Sequence, residues 1–211
     1  MEIRLIGEAA KKASVKVAQL STEEKNRVLL KAADALLENR ESILNINRKD
    51  VENAIANGVK QAFIDRLTLT EKRLEDMAKG LREIAALNDL VGEYVYGKTL
   101  PNGLIIQQKR VPLGVVAIIF ESRPNVTADA FGLCLKSGNV VILRGGKEAI
   151  QTNIAIVDIF RKVLMLIPLI FIFSKSFGEI GIWYANPVSD FIAAIVTFYF
   201  LKREFKILNH K

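Results

Sequence analysis

Apolar positions in the first twenty residues fall at Ile3, Ile6, Ala10, Ala13 and Val17, the spacing of one helical face. Ser21 followed by Glu24 forms a capping-box pattern, in which each side chain satisfies an orphan backbone N–H of the other. The helix it opens is predicted to run to about Asn39, with Leu29, Ala32, Ala33, Leu36 and Leu37 on one side. A third helix is predicted over roughly 41–57, with Leu44, Val51, Ala54 and Ile55 inward and Gly58 as a left-handed stop. A fourth starts after Thr70. Leu74, Met77, Ala78, Leu81, Ile84 and Ala85 form its stripe, and Glu75 and Lys79 stand one turn apart as an ion pair.

Beyond residue 90 the period shortens. Val91–Lys98 and Leu104–Val111 are β-like runs around the turn signal Pro101-Asn102-Gly103, which predicts a hairpin. Val115–Phe120 is a continuous apolar run of strand length, expected of a strand covered on both faces. Pro124 opens a helical stretch through Leu135, ended by Gly138, and Val140–Leu143 reads as a second buried strand. Gly145-Gly146 follows, then an amphipathic helix over about 147–163. Strand, helix, strand, helix in this order predicts parallel βαβ connectivity with a right-handed crossover. The pattern predicts an α/β fold class: N-terminal helices, then a parallel Rossmann-like sheet.

Composition alters this picture at the C-terminal end. The chain has 211 residues and a net charge of +7. Residues 165–211 hold seven of the 11 Phe, the only Trp and two of the four Tyr, but only three of the 23 acidic groups. Two compositions are joined near residue 164. One cysteine excludes a disulfide framework and a cysteine-based zinc site, and one histidine excludes a histidine metal cage. No metal site is expected. Basic and acidic groups interleave on amphipathic helices without a recognition motif, which argues against nucleic-acid binding. The N-terminus lacks an apolar signal region, so residues 1–164 are expected to be cytoplasmic.

Two strand-to-helix junctions carry the candidate chemistry, because open parallel sheets bind ligands at the carboxyl ends of their strands. The first is Phe120-Glu121-Ser122-Arg123-Pro124-Asn125-Val126-Thr127 and the second is Leu143-Arg144-Gly145-Gly146-Lys147-Glu148. The second combines a permissive Gly-Gly turn, a helix start and two cations, all favourable to an anion. A plain turn with solvated cations is the alternative. Cys134, among Phe131, Leu133 and Leu135, reads as a buried small apolar residue.

The segment Val111–Thr127, with its Glu-Ser-Arg-Pro-Asn-Val-Thr, and the segment Leu135–Ala149, with its Leu-Arg-Gly-Gly-Lys-Glu-Ala, resemble the gamma-glutamyl phosphate reductase (glutamate-5-semialdehyde dehydrogenase) family of the aldehyde dehydrogenase superfamily. Asn47-Arg48-Lys49-Asp50-Val51 and Asp65-Arg66-Leu67-Thr68-Leu69 resemble its helical region. The resemblance covers about residues 1–164 and implies NADPH-dependent reduction of an acyl phosphate, γ-glutamyl phosphate, to glutamate 5-semialdehyde in proline biosynthesis. It implies that Ser122, Arg123, Pro124, Arg144, Gly145, Gly146 and Lys147 bind the cofactor. Arg144 stands at the ribose position, and Lys147 is a cation where NAD-preferring relatives often have Glu. Asn125 matches an oxyanion-holding asparagine, with a helix-start cap as its alternative. The family's nucleophilic cysteine lies further downstream and Cys134 does not match it. The segment is therefore expected to be a truncated cofactor domain, inactive alone.

Residues 165–211 are expected to form a separate hydrophobic, transmembrane-like helical segment. Neither Val163–Phe173 nor Phe191–Leu201 alone reaches the about 20 apolar residues of a spanning helix; a 20-residue window from Ile182 has the length but includes Asn186, Ser189 and Asp190. Gly181-Ile182-Trp183-Tyr184-Ala185-Asn186-Pro187-Val188-Ser189-Asp190 resembles the last helix of multidrug and toxin extrusion transporters. Three functional classes stay open: an oxidoreductase fragment, a membrane-associated exporter remnant, and a chimera without function. Oligomeric state is not legible.

Overall fold

The computed structural model describes residues 3–165. The chain divides into two compact units, Met1–Val157 and Asp158–Lys211, and nearly all described residues belong to the first. The membrane-helix and exporter expectations for 165–211 lie outside the described residues, Met165 apart. Among those residues, no helix is long and apolar enough to cross a membrane.

Five helices come first: α1 (Ile3–Val17), α2 (Thr22–Glu38), α3 (Arg40–Ala56), α4 (Gln61–Leu67) and α5 (Glu71–Ala86). The Ser21–Glu24 capping box forms as predicted and starts α2. Gly58 ends the α3 region at φ +71°. The short α4 has too few turns to show a stripe and was not predicted. Lys79 pairs forward with Glu83 at 3.6 Å, rather than back with Glu75.

Two inward faces differ from expectation. On α1 only Ala10 is buried, while Ile3, Ile6 and Ala13 are exposed. On α3, Ile55 is exposed, and the buried residues are Ile43, Asn47, Asp50 and Ala54. Polar groups hold these inner positions because each is satisfied. Asn47 Nδ2 donates to Leu67 O (3.0 Å) and Thr152 Oγ1 (3.2 Å), and Leu69 N donates to Asn47 Oδ1 (2.7 Å). Asp50 Oδ2 accepts from both Thr152 N (2.8 Å) and Thr152 Oγ1 (2.7 Å).

An antiparallel hairpin follows, β1 (Tyr94–Thr99) with β2 (Ile105–Lys109), turned at Gly103 with φ +84°. Then come β3 (Val115–Ile119), α6 (Asn125–Lys136) and β4 (Val140–Arg144). β3 and β4 pair in parallel, from Val115 against Val140 to Ile119 against Arg144, as the strand–helix–strand pattern predicts. Gly138 turns the chain between α6 and β4 at φ +73°, where a Cβ would press on Pro112. A 3-10 turn, Lys147–Ala149, precedes a helix, α7, over residues 150–165.

The main core lies among α2, α5 and α6. Leu29, Ala32, Ala33 and Leu36 meet the complete predicted stripe of α5, with Ala128, Phe131, Cys134 and Leu135 from α6. At Gly132 a Cβ would approach Leu81 and Ile84 methyls to 2.9 Å, so α6 and α5 touch closely there. A smaller cluster joins Ala54, Ile64, Leu67 and Ala149. β3 departs from its predicted burial: Val115, Ala117 and Ile119 are exposed, and Val116 and Ile118 half-buried. The described sheet has two strands, and α1 and α6 pack chiefly against β4, so β3 keeps an uncovered set of side chains.

Two buried lysines bind the core together. Lys25 Nζ lies 2.5 Å from Asp89 Oδ2 and donates to Lys136 O, while Lys136 Nζ donates to Asn26 Oδ1 and Ala85 O. Burial raises the Asp89 carboxyl most strongly. Hydrogen bonds from Lys25, Val91 N and Thr22 together outweigh that and hold it below the usual aspartate range.

Candidate functional site

The parallel register brings both junctions to one edge of the sheet. Phe120 N donates to Arg144 O at 3.0 Å, so the two chains leave their strands side by side. Ser122 is buried, and its Oγ donates to Glu148 Oε2 at 2.8 Å. That bond, with the Glu148 backbone N–H, holds the Glu148 carboxyl below the usual glutamate range against desolvation; Lys147 adds to the effect.

The two glycines are required by this closure. A Cβ on Gly145 would collide with Asn153 Nδ2 and crowd the Phe120 ring, and one on Gly146 would collide with Ser122 Oγ. Asn153 Oδ1 accepts from Thr127 Oγ1 at 3.1 Å, whereas its Nδ2, buried against Gly145, has no hydrogen-bond partner among the described residues. Arg144 and Lys147 are exposed on either side of the glycines. Arg144 makes no ion pair with a described residue. An unsatisfied amide donor behind the turn and two exposed cations beside it are a donor set that fits an anionic group such as a nucleotide phosphate.

Arg123 and Asn125 are placed elsewhere. Both line an open cavity of about 390 Å³ together with Asp65, Arg66, Leu69, Arg73, Asp76, Met77 and Asp129. Arg123 follows Ser122 directly in the chain, and buried Pro124 lies between the two cavity residues Arg123 and Asn125. Asn125 is exposed as the first residue of α6, and no side chain caps that helix, so the alternative of a capping role for Asn125 is not realised. Two of the cavity's arginines are engaged. Arg73 donates to the Asp65 and Thr68 carbonyls, and Arg66 pairs with Glu121 at 3.5 Å while lying over the Phe63 ring. Arg123, Asp76 and Asp129 have no ion pair or side-chain hydrogen bond among the described residues. Burial pushes the Asp129 carboxyl above the usual aspartate range.

The structure therefore joins Ser122, Gly145 and Gly146, flanks them with Arg144 and Lys147, and sets Arg123 and Asn125 apart in the cavity. Glu148, Asn153 and Asp129 were not singled out from sequence. Asp129 had one available signal, its position four residues after Asn125 on the same helix. Cys134 is buried as expected, and desolvation pushes its thiol above the ordinary range. Among the described residues no cluster of three His, Cys, Asp or Glu is placed to hold a metal ion.

Comparison with known proteins decides the family. The aldehyde dehydrogenase family matches residues 1–168. This chain belongs to the aldehyde dehydrogenase family. It is 58% identical over 163 residues to the gamma-glutamyl phosphate reductase of Carboxydothermus hydrogenoformans, a match covering 77% of this chain and 39% of that protein. It is 54% identical over 159 residues to that of Escherichia coli O81, covering 75% and 38%. The solved gamma-glutamyl phosphate reductase of Thermotoga maritima superposes with a TM-score of 0.72 at 43% identity, covering 74% of this chain and 38% of that one. That of Saccharomyces cerevisiae gives 0.73 at 34% identity, covering 84% and 43%. The α/β fold is thus of the aldehyde dehydrogenase type. The chain spans about two fifths of the length of the curated relatives it matches.

Proposed function

We propose that residues 1–164 are the nucleotide-binding portion of an NADPH-dependent reductase of γ-glutamyl phosphate, serving proline biosynthesis in the cytoplasm. The Ser122–Glu148 hydrogen bond carries this reading, because it closes the two junctions onto each other and leaves Arg144 and Lys147 exposed beside Gly145-Gly146. The identity to gamma-glutamyl phosphate reductases supports it. Arg144 would hold the adenosine ribose and Lys147 the 2′-phosphate. Ser122 and Pro124 would form the wall along which the cofactor lies. Asn125 would donate its amide to the oxyanion of the reacting acyl group. When bound, NADPH supplies the hydride.

Acyl transfer in this chemistry needs an accessible thiolate. Cys134 is the chain's one cysteine; it is buried and its thiol is raised. The chain is accordingly expected to be inactive alone while retaining cofactor affinity. Titration of the protein with NADPH and NADH tests this. NADPH is expected to bind more tightly, at millimolar level, and Lys147→Glu to abolish the preference. Equal binding of both cofactors, unaffected by Lys147→Glu, would overturn the 2′-phosphate assignment.

For residues 165–211 the reading rests on sequence alone. The Gly181–Asp190 pattern supports a remnant of an exporter's last helices, which by itself transports nothing. Membrane association resistant to carbonate washing is the expected result, and its absence would remove this reading.

A further inference from the structure

The cavity beneath α6 holds charges of both signs that the protein leaves unused. Arg123, just before the helix, and Asp129, in its second turn, line the same space as Asn125, and neither side chain has a described partner; Asp76, the third unpaired charge there, is exposed to solvent, whereas Asp129 is half-buried. The remaining arginines there, Arg66 and Arg73, are tied to Glu121 and to the Asp65 region. A half-buried carboxylate without a hydrogen bond is costly unless something completes it. Bulk anions would satisfy Arg123 only, and a metal ion or simple amine would satisfy Asp129 only. A ligand carrying an ammonium and a carboxylate on one carbon would satisfy both.

Spacing agrees with this. Asn125 and Asp129 are four residues apart, one above the other on α6, about 6 Å along the axis. In a glutamyl group five bonds separate the γ-carbonyl oxygen from the ammonium nitrogen, an extent that matches this rise when the chain is extended. We infer that the cavity is the recognition site for the α-amino-acid end of the acyl substrate. Asp129 receives the ammonium and Arg123 the α-carboxylate while Asn125 meets the γ-carbonyl oxygen. The inference rests on the proposed γ-glutamyl chemistry for the identity of the acyl chain. It makes Asp129 and Arg123 specificity-determining residues.

The test uses two small probes and the full 211-residue chain. L-Glutamine keeps the α-ammonium, the α-carboxylate and a neutral γ-carbonyl group; glutaramate is the same molecule without the ammonium. Saturation-transfer NMR measures weak affinities for both. Wild-type protein is expected to prefer L-glutamine. Asp129→Asn is expected to weaken L-glutamine about tenfold, the scale of one charge-assisted hydrogen bond, and to leave glutaramate unchanged. Arg123→Gln is expected to weaken both. Unchanged glutaramate binding also shows that the Asp129→Asn protein is folded. Absence of any preference in the wild type, or equal effects of Asp129→Asn on the two probes, would overturn the inference. NADPH titrated into the same samples separates the readings. Discrimination between probes without NADPH binding defeats the nucleotide assignment alone, and NADPH binding without discrimination defeats this one alone.

Discussion

Ser122 and Glu148, 26 positions apart in sequence, share a 2.8 Å hydrogen bond that ties the loop after β3 to the turn after β4. The bond is formed by the ionised carboxylate, which the serine hydroxyl holds below its usual range. A carboxyl with a lowered folded value keeps this contact above the ordinary glutamate range and loses it as pH falls through the lowered value.

Ser122→Ala should release that hold. Glu148 is expected to titrate closer to an ordinary glutamate, followed by carboxyl carbon NMR, and stability should fall by about 0.5–1.5 kcal/mol, as for one hydrogen bond. An unchanged Glu148 titration would mean that the hydroxyl is incidental.

Asp89→Asn should be far more damaging. Lys25 is 1% exposed and its ammonium lies against Asp89, with Lys136 close by. Removing the carboxylate strands a buried positive charge, at about 3–5 kcal/mol. The wild-type contribution is present above the ordinary aspartate value of about 3.9. It disappears as pH falls through the lower folded value. Urea unfolding of both proteins at neutral pH and near pH 3 checks this; the difference between them should shrink in acid. A neutral-pH loss below about 1 kcal/mol would contradict the account.

Cys134 should be chemically quiet. Its burial and raised thiol leave little thiolate at neutral pH. Reaction with an aromatic disulfide reagent is expected to be slow in native protein and fast in urea. Cys134→Ala is expected to leave NADPH affinity unchanged. Rapid native labelling would show that the cysteine is accessible.

The sequence made the long elements readable where one physical signal dominated. The Ser21–Glu24 box and the apolar stripe of α5 are local patterns, and both are present as expected. Asn47 and Asp50 were missed as inner residues because hydropathy assigns polar groups outward; their partners, Thr152 and the Leu67–Leu69 backbone, are distant in sequence. Coverage of β3 was overestimated because an apolar run records hydrophobicity, not which neighbours are present to cover it. The Gly145-Gly146 turn was recognisable, but its closure by Ser122 and Glu148 depends on strand register. Placement of Arg123 away from the turn likewise follows from the direction in which the chain enters α6, not from residue type.

The contact between Asp50 and Thr152 bears on the order of assembly. The carboxylate accepts an otherwise unpaired N–H in the first turn of α7, from 102 positions upstream. The segment just ahead of that turn contains Gly145, Gly146 and Lys147. Its geometry thus waits on α3 docking across a long loop, and closing such a loop is slow compared with winding a helix. In pulse-labelled hydrogen exchange during refolding, amides of α2 and α5 should become protected first, and those of residues 149–153 late. The nucleotide site would then be among the last parts of the molecule to mature.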